Sequence, residues 1–211
     1  MIRKDPREDD ELLAAWKSGD KLAGIRLVER HHENIARFFM HKVGESEGAD
    51  LSQATFVGLL EGIDRFRGEA SFRTWIFAVA HNILLKHLRN RCRDQRRFAP
   101  EETSLEALVG PSPVSILAAE QQNRLMLVAL RRLAIDTQVM LELHYWENLA
   151  IREIAVVFDM PVNTIKTRMR RGRLQLFEAM QALAESPEQL ETTQRGLEGW
   201  AAGLRRELDD D

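Results

Sequence analysis

Small polar side chains followed by cationic ones occupy one side of a predicted helix at residues 162–177. Because successive helical residues are rotated by about 100°, the following side chains share that side: Asn163, Thr164, Lys166, Thr167, Arg168, Arg170 and Arg171. Asn and Thr can hydrogen-bond to base edges in the major groove, whereas Lys and Arg neutralise phosphates. The set predicts a helix that enters the major groove of duplex DNA with its amino-terminal end first.

The same helix has an apolar side and follows a shorter helix predicted at residues 151–158. The predicted buried stripe consists of Ile165, Met169, Gly172 and Leu176. Asp159 tolerates the left-handed conformation that a tight turn often needs, and Pro161 suits the first position of a helix. The pattern predicts a helix-turn-helix module. An amphipathic helix pair with a solvated basic face is the alternative, but the compact hairpin and the polar-then-basic order favour DNA recognition.

A second cationic segment, in the first half of the chain, interleaves arginine with aromatic side chains. Its members are Arg65, Phe66, Arg67, Phe72, Arg73, Trp75 and Phe77. Aromatic rings stack on unpaired bases while arginine pairs with phosphates, so this segment predicts binding of single-stranded nucleic acid. Trp75 also lies on an apolar stripe, which favours a position in the core. Phe72 is compatible with either role, in the core or in stacking on a base. The end of the same predicted helix is cationic and carries Lys86, Arg89, Arg91, Arg93, Arg96 and Arg97. These side chains either bind phosphates or are simply solvated.

Composition narrows the classes of function. The 211-residue chain has a formal net charge of −3, so attraction to DNA must come from local patches. The single cysteine, Cys92, excludes an intramolecular disulfide and a cysteine-rich zinc site. The six histidines show no metal-ligand spacing with carboxylates. With no membrane-length apolar run and no signal peptide, the chain is expected to stay in the cytoplasm without membrane insertion.

Helical periodicity without competing strand alternation predicts an all-α protein of two small helical domains. The first domain is expected at residues 10–97, with helices at 11–18, 21–43 and 49–64, a loop at 44–48, and a long helix capped by Ser71. Residues 98–115 contain three prolines and are expected to form an extended linker. The second domain is expected at residues 116–184.

Residues 185–211 form a predicted acidic, amphipathic C-terminal tail. Its apolar residues near one helical face are Leu190, Leu197, Trp200, Leu204 and Leu208. Three interspersed glycines weaken such a helix. Two interpretations remain: a short helix that docks on one of the domains and tunes the binding of DNA or of a partner, or a loosely attached solubilising tail.

Two motif blocks carry a resemblance to a known family. In the first half they are residues 50–56 (DLSQATF), 65–75 (RFRGEASFRTW) and 80–82 (AHN). In the second half they are residues 153–155 (EIA) and 161–168 (PVNTIKTR). With both blocks in this order and separation, the chain resembles the bacterial sigma factors of the extracytoplasmic-function (ECF) type over roughly residues 10–180.

The resemblance implies a role for each domain in transcription initiation. The first, region-two-like domain would dock on a coiled coil of the RNA polymerase core through Asp50, Gln53 and Phe56. It would also melt the minus-ten promoter element and capture an unpaired base. The positions implied for that task are Arg65, Arg67, Phe72, Arg73, Trp75, Asn82, Lys86, Arg89 and Arg93. The second, region-four-like domain would read the minus-thirty-five element with the helix at residues 162–177.

The partners implied by the resemblance are the RNA polymerase core and promoter DNA, and an anti-sigma factor is a common partner in the family. The linker would pass through polymerase, where Glu101, Glu102 and Glu106 suit a path otherwise meant for RNA. No cofactor and no metal are implied, and catalysis belongs to the polymerase, so the chain is expected not to be an enzyme. A free sigma factor can also mask its own DNA surfaces by packing its two domains together.

Three positions depart from the family pattern. Ala54 stands where the family usually has Glu, so the polymerase-docking helix lacks one charge. Asp159 and Asn163 replace common glycines, and the Asn163 amide is expected to alter promoter preference. Two other classes of function stay open: a conventional helix-turn-helix regulator, which would bind duplex DNA without polymerase, and a helical adaptor without specific DNA binding.

Overall fold

A computed structural model describes residues 8–92, 98–110 and 121–184. The first domain consists of α1 (Asp9–Lys17), α2 (Lys21–Val43), α3 (Glu45–Gly62), a 3₁₀ turn (Ile63–Arg65) and α4 (Phe72–Arg91). A short helix follows, α5 (Leu105–Val109), and then the second domain, with α6 (Gln121–Arg132), α7 (Ile135–Tyr145), α8 (Ile151–Val157) and α9 (Val162–Leu183). Every regular element in these ranges is a helix, which confirms the all-α fold class with two helical domains.

Side-chain caps fix where two of the long helices begin. The Asp20 carboxylate accepts hydrogen bonds from the backbone N–H groups of Leu22 and Ala23 at 3.0 and 3.2 Å. The Ser71 hydroxyl accepts from the Thr74 N–H at 3.1 Å. These bonds satisfy amide groups that have no partner within the helix. The prediction that Ser71 caps the long helix is confirmed.

The predicted loop at residues 44–48 is wrong, because α3 already begins at Glu45. Gly44, with φ of +93°, alone makes the turn between α2 and α3. Gly48 is buried within α3, where a Cβ atom would lie 3.1 Å from the backbone nitrogen of Met40. The second glycine therefore permits close packing of two helices rather than forming a loop.

One carboxylate of the first helix pairs with two side chains of α2. Asp9 Oδ1 accepts from Arg30 Nη1 at 2.7 Å, and Asp9 Oδ2 lies 2.6 Å from Nε2 of the buried His31. Burial acts to raise the pKa of Asp9, but the hydrogen bond and charge of His31, together with Arg30, hold the pKa below its usual value. The ionised form of Asp9 is thus more stable in the folded than in the unfolded chain.

Replacing Asp9 with Asn is expected to lower the free energy of unfolding at pH 7 by about 1–2 kcal/mol. Because the folded-state pKa is depressed, the carboxylate stabilises the fold above the unfolded-state pKa of about 4, and this contribution is lost as the pH falls through the lower folded value. Urea unfolding between pH 7 and pH 3 measures the difference. Asp10→Asn is the control, because Asp10 is exposed in the same helical turn; equal losses for both variants would contradict the anchoring role.

The second domain has the predicted helix-turn-helix geometry. The stripe of Ile165, Met169, Gly172 and Leu176 is buried as predicted. A Cβ atom on Gly172 would lie 2.6 Å from Thr137 Cγ2, so glycine permits α9 to pack closely on α7. Asp159 adopts the left-handed conformation, with φ of +49°. Pro161 precedes the helix as its N-cap rather than occupying the first helical position.

The segment predicted to be an extended linker is partly folded against the second domain. The Ile135 N–H donates to the Thr103 carbonyl at 2.8 Å, and the Asp136 N–H donates to the Pro100 carbonyl at 3.1 Å. α5 then buries Leu105 completely. Prolines suggested an unstructured connection, but the Ser104 hydroxyl caps α5 by accepting from the Ala107 N–H at 3.2 Å.

The two domains pack on each other through apolar and ionic contacts. Buried apolar residues form one cluster that extends through both domains. The Lys42 side chain, which is fully buried, donates to the Phe38 carbonyl at 2.7 Å and pairs with Glu142 of α7. Burial lowers the pKa of Lys42, and the Glu142 carboxylate opposes that shift. Arg131 of α6 donates to the carbonyls of Lys42 and Gly110 at 2.9 and 3.1 Å, which joins both domains to the end of α5.

Some predictions fall outside the described residues. They concern Arg93, Arg96 and Arg97 of the cationic helix end, residues 111–115 of the linker, residues 116–120 of the second domain, and the C-terminal tail at 185–211. Among the helices that the structure describes, none combines the length and the apolar character needed to cross a membrane.

Candidate nucleic-acid and polymerase interfaces

The predicted DNA-reading side of α9 faces solvent. Asn163, Lys166, Thr167, Arg170 and Arg171 are exposed, whereas Thr164 and Arg168 are half-buried. The Thr167 hydroxyl donates to the Asn163 backbone carbonyl at 3.0 Å, and the Asn163 side chain is exposed. The exposed face therefore combines base-reading groups with cations, as groove recognition requires.

The folded part of the linker lies beside this helix. The lining of a cavity of about 340 Å³ includes Glu101 and Glu102 of the linker and Arg168 and Arg171 of α9. Arg168 Nη1 also lies 3.6 Å from Asp136 Oδ2. Acidic side chains thus surround one edge of the basic face in this conformation.

In the first domain, an open pocket lies between the end of α3 and the first half of α4. The Phe66 and Trp75 rings stack in it with centroids 4.4 Å apart and planes 16° apart. The pocket, here named the aromatic pocket, has a volume of about 590 Å³ and includes Arg65, Arg67 and Val79 in its lining. A Cβ atom on Gly62 would lie 3.1 Å from Trp75 Cζ2, so glycine at that position lets the indole reach the pocket. Rings and arginines that flank an open pocket suit an unpaired base and its phosphates.

The remaining minus-ten candidates differ in accessibility. Asn82, Lys86 and Arg89 are exposed along α4, and Arg65 and Arg67 are exposed beside the aromatic pocket. The expectation for Phe72 needs correction. Phe72 is completely buried, with its ring 5.4 Å from that of His31, because its position at the start of α4 faces the domain core. Phe72 therefore supports the pocket and cannot contact DNA from this position.

His81 lies on α4 but does not contribute to its basic surface. The side chain is buried between the domains, with its ring centroid 4.4 Å from that of Phe158. His81 Nε2 lies 3.7 Å from Asp136 Oδ1 of α7. The second domain thus covers part of the helix that follows the aromatic pocket.

Two glutamates of the second domain contact the beginning of α4. Glu147 Oε2 lies 3.4 Å from Arg73 Nη2, and Glu147 Oε1 lies 3.2 Å from Arg37 Nη2 of α2. Glu153 Oε1 accepts from the Thr74 hydroxyl at 3.0 Å. The minus-ten candidate Arg73 is therefore paired within the protein in this conformation.

The predicted polymerase-docking residues lie on α3 with different exposures. Asp50, Gln53 and the neighbouring Ala54 are exposed, whereas Phe56 is half-buried and stacks on His32 with ring centroids 5.9 Å apart. Sequence reasoning missed Val57 and Leu60, which are 45% and 57% exposed. These apolar residues lie four and seven positions after Gln53, so they continue its side of the helix. Their spacing from Gln53 could have identified them from the sequence.

The described ranges do not indicate a metal-binding site. No group of three or more His, Cys, Asp or Glu side chains in those ranges is arranged to hold an ion.

The chain is similar to several bacterial transcription factors along most of its length. It is 27% identical over 186 residues to the ECF RNA polymerase sigma-E factor of Haemophilus influenzae, with 83% of this chain and 96% of the relative covered. Identity to the RNA polymerase sigma-H factor of Pseudomonas aeruginosa is 26%, with 83% of this chain and 95% of that protein covered.

Family models match both domains. The model for Sigma-70 region 2 matches residues 27–94, and the model for Sigma-70 region 4 matches residues 123–176. The chain is an ECF-type sigma factor of the sigma-70 family. This sigma factor is a transcription initiation factor that directs RNA polymerase, and a conventional helix-turn-helix regulator is not favoured. Sigma factors are known as non-catalytic initiation factors.

Solved structures resemble this sigma factor in fold. CnrH, solved in complex with the cytosolic domain of CnrY, gives a TM-score of 0.58 at 23% identity, with 83% of this chain and 99% of that chain covered. The sigma factor RpoE from Bartonella quintana, solved with the anti-sigma factor NepR, gives a TM-score of 0.55 at 20% identity, with 77% of this chain and 97% of that chain covered.

Proposed function

We propose that this sigma factor captures an unpaired minus-ten base in the aromatic pocket and reads the minus-thirty-five element with α9. The observation that carries the proposal is the stacked pair of Phe66 and Trp75, with Arg65 and Arg67 beside it. An aromatic ring can stack on the face of any of the four bases, and the adjacent guanidinium groups can bind the phosphate backbone of the same strand.

The other minus-ten contacts extend along α4. Asn82, Lys86 and Arg89 are exposed one to two helical turns apart, so they can follow successive phosphates of one strand. Arg73 joins them once it is released from Glu147, and Arg93 continues the series by its resemblance to the family. Phe72 is left out of this surface because it is buried.

Polymerase docking is proposed for the exposed side of α3. Asp50 and Gln53 supply polar contacts, and Val57 and Leu60 supply an apolar patch next to them. A central apolar patch with a polar rim is the usual arrangement of a protein interface. Ala54 lacks the charge usual in the family, so the apolar contacts are expected to contribute a larger share of the free energy of docking.

An anti-sigma factor is proposed as a regulatory partner. Support comes from two proteins of similar fold, since RpoE was solved with the anti-sigma factor NepR and CnrH with the cytosolic domain of CnrY. The sigma factor itself is proposed to act in the cytoplasm, with its polymerase, and to carry no catalytic activity of its own.

Replacing Arg67 with Ala is expected to lower promoter melting by about tenfold, which corresponds to the loss of one charge-assisted contact worth about 1.4 kcal/mol. Permanganate reactivity of minus-ten thymines measures melting by the reconstituted holoenzyme. DNase protection at the minus-thirty-five element is expected to persist, because α9 is unchanged.

The matched control is Arg124→Ala, which removes an exposed cation from α6 of the second domain. Equal melting by the Arg67 and Arg124 variants would overturn the assignment of the aromatic pocket to the minus-ten element.

A further inference from the structure

The exposed face of α9 continues beyond the residues proposed to read DNA. Leu174 is 57% exposed and lies on the same side of the helix as Asn163, because about three full turns separate them. The exposed Arg170 and Arg171 lie one turn before Leu174, and the half-buried Phe177 lies one turn after it. The first turns of a recognition helix contact base edges, and Leu174 is about 16 Å further along the axis. This end of the face is therefore available to an occupant other than the base pairs.

The tail at residues 185–211 has the composition of a matching occupant. It carries eight acidic side chains against three arginines. That excess is larger than the net charge of −3 of the whole chain, so the rest of the chain is net positive. The apolar residues of the tail include Leu190, Leu197 and Trp200. The match to Sigma-70 region 4 ends at residue 176, so it assigns no role to the tail.

The charge of α9 is opposite to that of the tail. Between Val162 and Leu183 the helix contains five cationic side chains and one acidic side chain. An exposed apolar residue that follows exposed arginines fits a segment in which leucines alternate with carboxylates. Because the tail is covalently joined to α9, its effective concentration at this face is on the order of millimolar.

The geometry at the end of α9 allows the tail to return along the helix. Ala184 ends α9 in an extended conformation, with φ of −66° and ψ of 131°. Leu174 lies about 14 Å back along the axis from Leu183. Since an extended chain spans about 3.3 Å per residue, about six residues after Ala184 suffice to reach it. Leu190 is at that separation in the sequence.

We propose that the acidic tail docks on the exposed face of α9 and competes there with the minus-thirty-five element. This inference rests on the proposed function of α9. Apolar tail residues cover Leu174, and tail carboxylates pair with the arginines one turn before it. DNA phosphates need the same guanidinium groups, so tail and duplex exclude each other. Duplex binding by the free protein is weakened by the fraction of molecules in which the tail is docked.

The first measurement detects docking through the fluorescence of Trp200 in the full-length chain. Its emission is obtained as the difference between each protein and the same protein with Trp200→Phe. Leu174→Asp is expected to shift this emission to the red, because the indole moves from an apolar contact into water. Leu22→Asp is the matched control, since Leu22 is 64% exposed on α2 of the first domain, and it is expected to cause no shift.

The second measurement is the affinity for a labelled duplex of mixed sequence and about 20 base pairs, whose phosphates suffice for non-specific binding. The variant Leu197→Ser/Trp200→Ser keeps every charge of the chain and removes two apolar contacts of the tail. If the docked state holds nine tenths of the molecules, its loss tightens duplex binding by about tenfold in fluorescence anisotropy. Adding the duplex to the wild type is expected to shift the Trp200 emission to the red.

Equal Trp200 emission in the wild type and in Leu174→Asp would overturn the proposal. Unchanged duplex affinity in Leu197→Ser/Trp200→Ser would overturn it as well, because the tail would then not compete with DNA. A shift that depends on protein concentration would overturn it by showing that the tail docks on a second copy. Failure of the proposed function is seen separately: Lys166→Ala would then leave duplex affinity unchanged in the tail variant, whatever the emission of Trp200.

Discussion

Replacing Leu60 with Asp is expected to weaken binding to the RNA polymerase core by about 30-fold or more, as for a central interface residue. Leu60 is 57% exposed on α3, next to the exposed Val57 and on the same side as Gln53. A carboxylate there replaces an apolar contact with a charge that must lose its water on docking. Biolayer interferometry of the core enzyme on immobilised sigma factor measures the change.

Leu174→Asp is the matched control for this substitution. Leu174 is also 57% exposed, but it lies on α9 in the second domain. Circular dichroism is expected to show unchanged folding for both variants, because both side chains face solvent. Equal weakening of polymerase binding by the two variants would show that the exposed side of α3 is not the main docking surface.

The second large effect is expected at the buried ion pair between the domains. Glu142→Ala leaves the Lys42 ammonium group buried without its carboxylate, which costs about 3–5 kcal/mol of folding free energy. Gln138 also loses a partner, because its amide donates to Glu142 Oε1 at 2.8 Å. Urea unfolding followed by tryptophan fluorescence measures the loss of stability.

The control for that prediction is Glu106→Ala, which breaks an exposed ion pair with Arg132 and is expected to cost less than about 1 kcal/mol. The double variant Lys42→Met/Glu142→Leu removes both buried charges, and it is expected to regain most of the stability lost in Glu142→Ala. A loss in Glu142→Ala no larger than in Glu106→Ala would contradict the role of the pair in holding the domains together.

Local patterns predicted the helix-turn-helix well, because its buried stripe depends on residues three to four positions apart. Ile165, Met169, Gly172 and Leu176 all face the core, and Asp159 makes the left-handed turn. The motif resemblance to ECF sigma factors is confirmed by matches in both domains. Such features can be predicted without knowing which residues that are distant in sequence contact each other.

Contacts between the domains could not be predicted from the sequence in the same way. His81 and Lys42 resemble surface residues by type, and their burial depends on partners in α7 and just after α8, far along the chain. Gly48 has the same ambiguity, because a glycine in sequence is compatible with a loop or with close helix packing. Phe56 and Val57 are adjacent, and one residue of rotation decides which of them faces solvent.

The central claim is tested most directly by transcription in vitro with purified bacterial core polymerase. Fragments of the source genome serve as templates, with and without the protein. We expect start sites that depend on the added protein and share one promoter motif. If no such transcripts appear while the protein alone binds duplex DNA tightly, the initiation mechanism described here is contradicted.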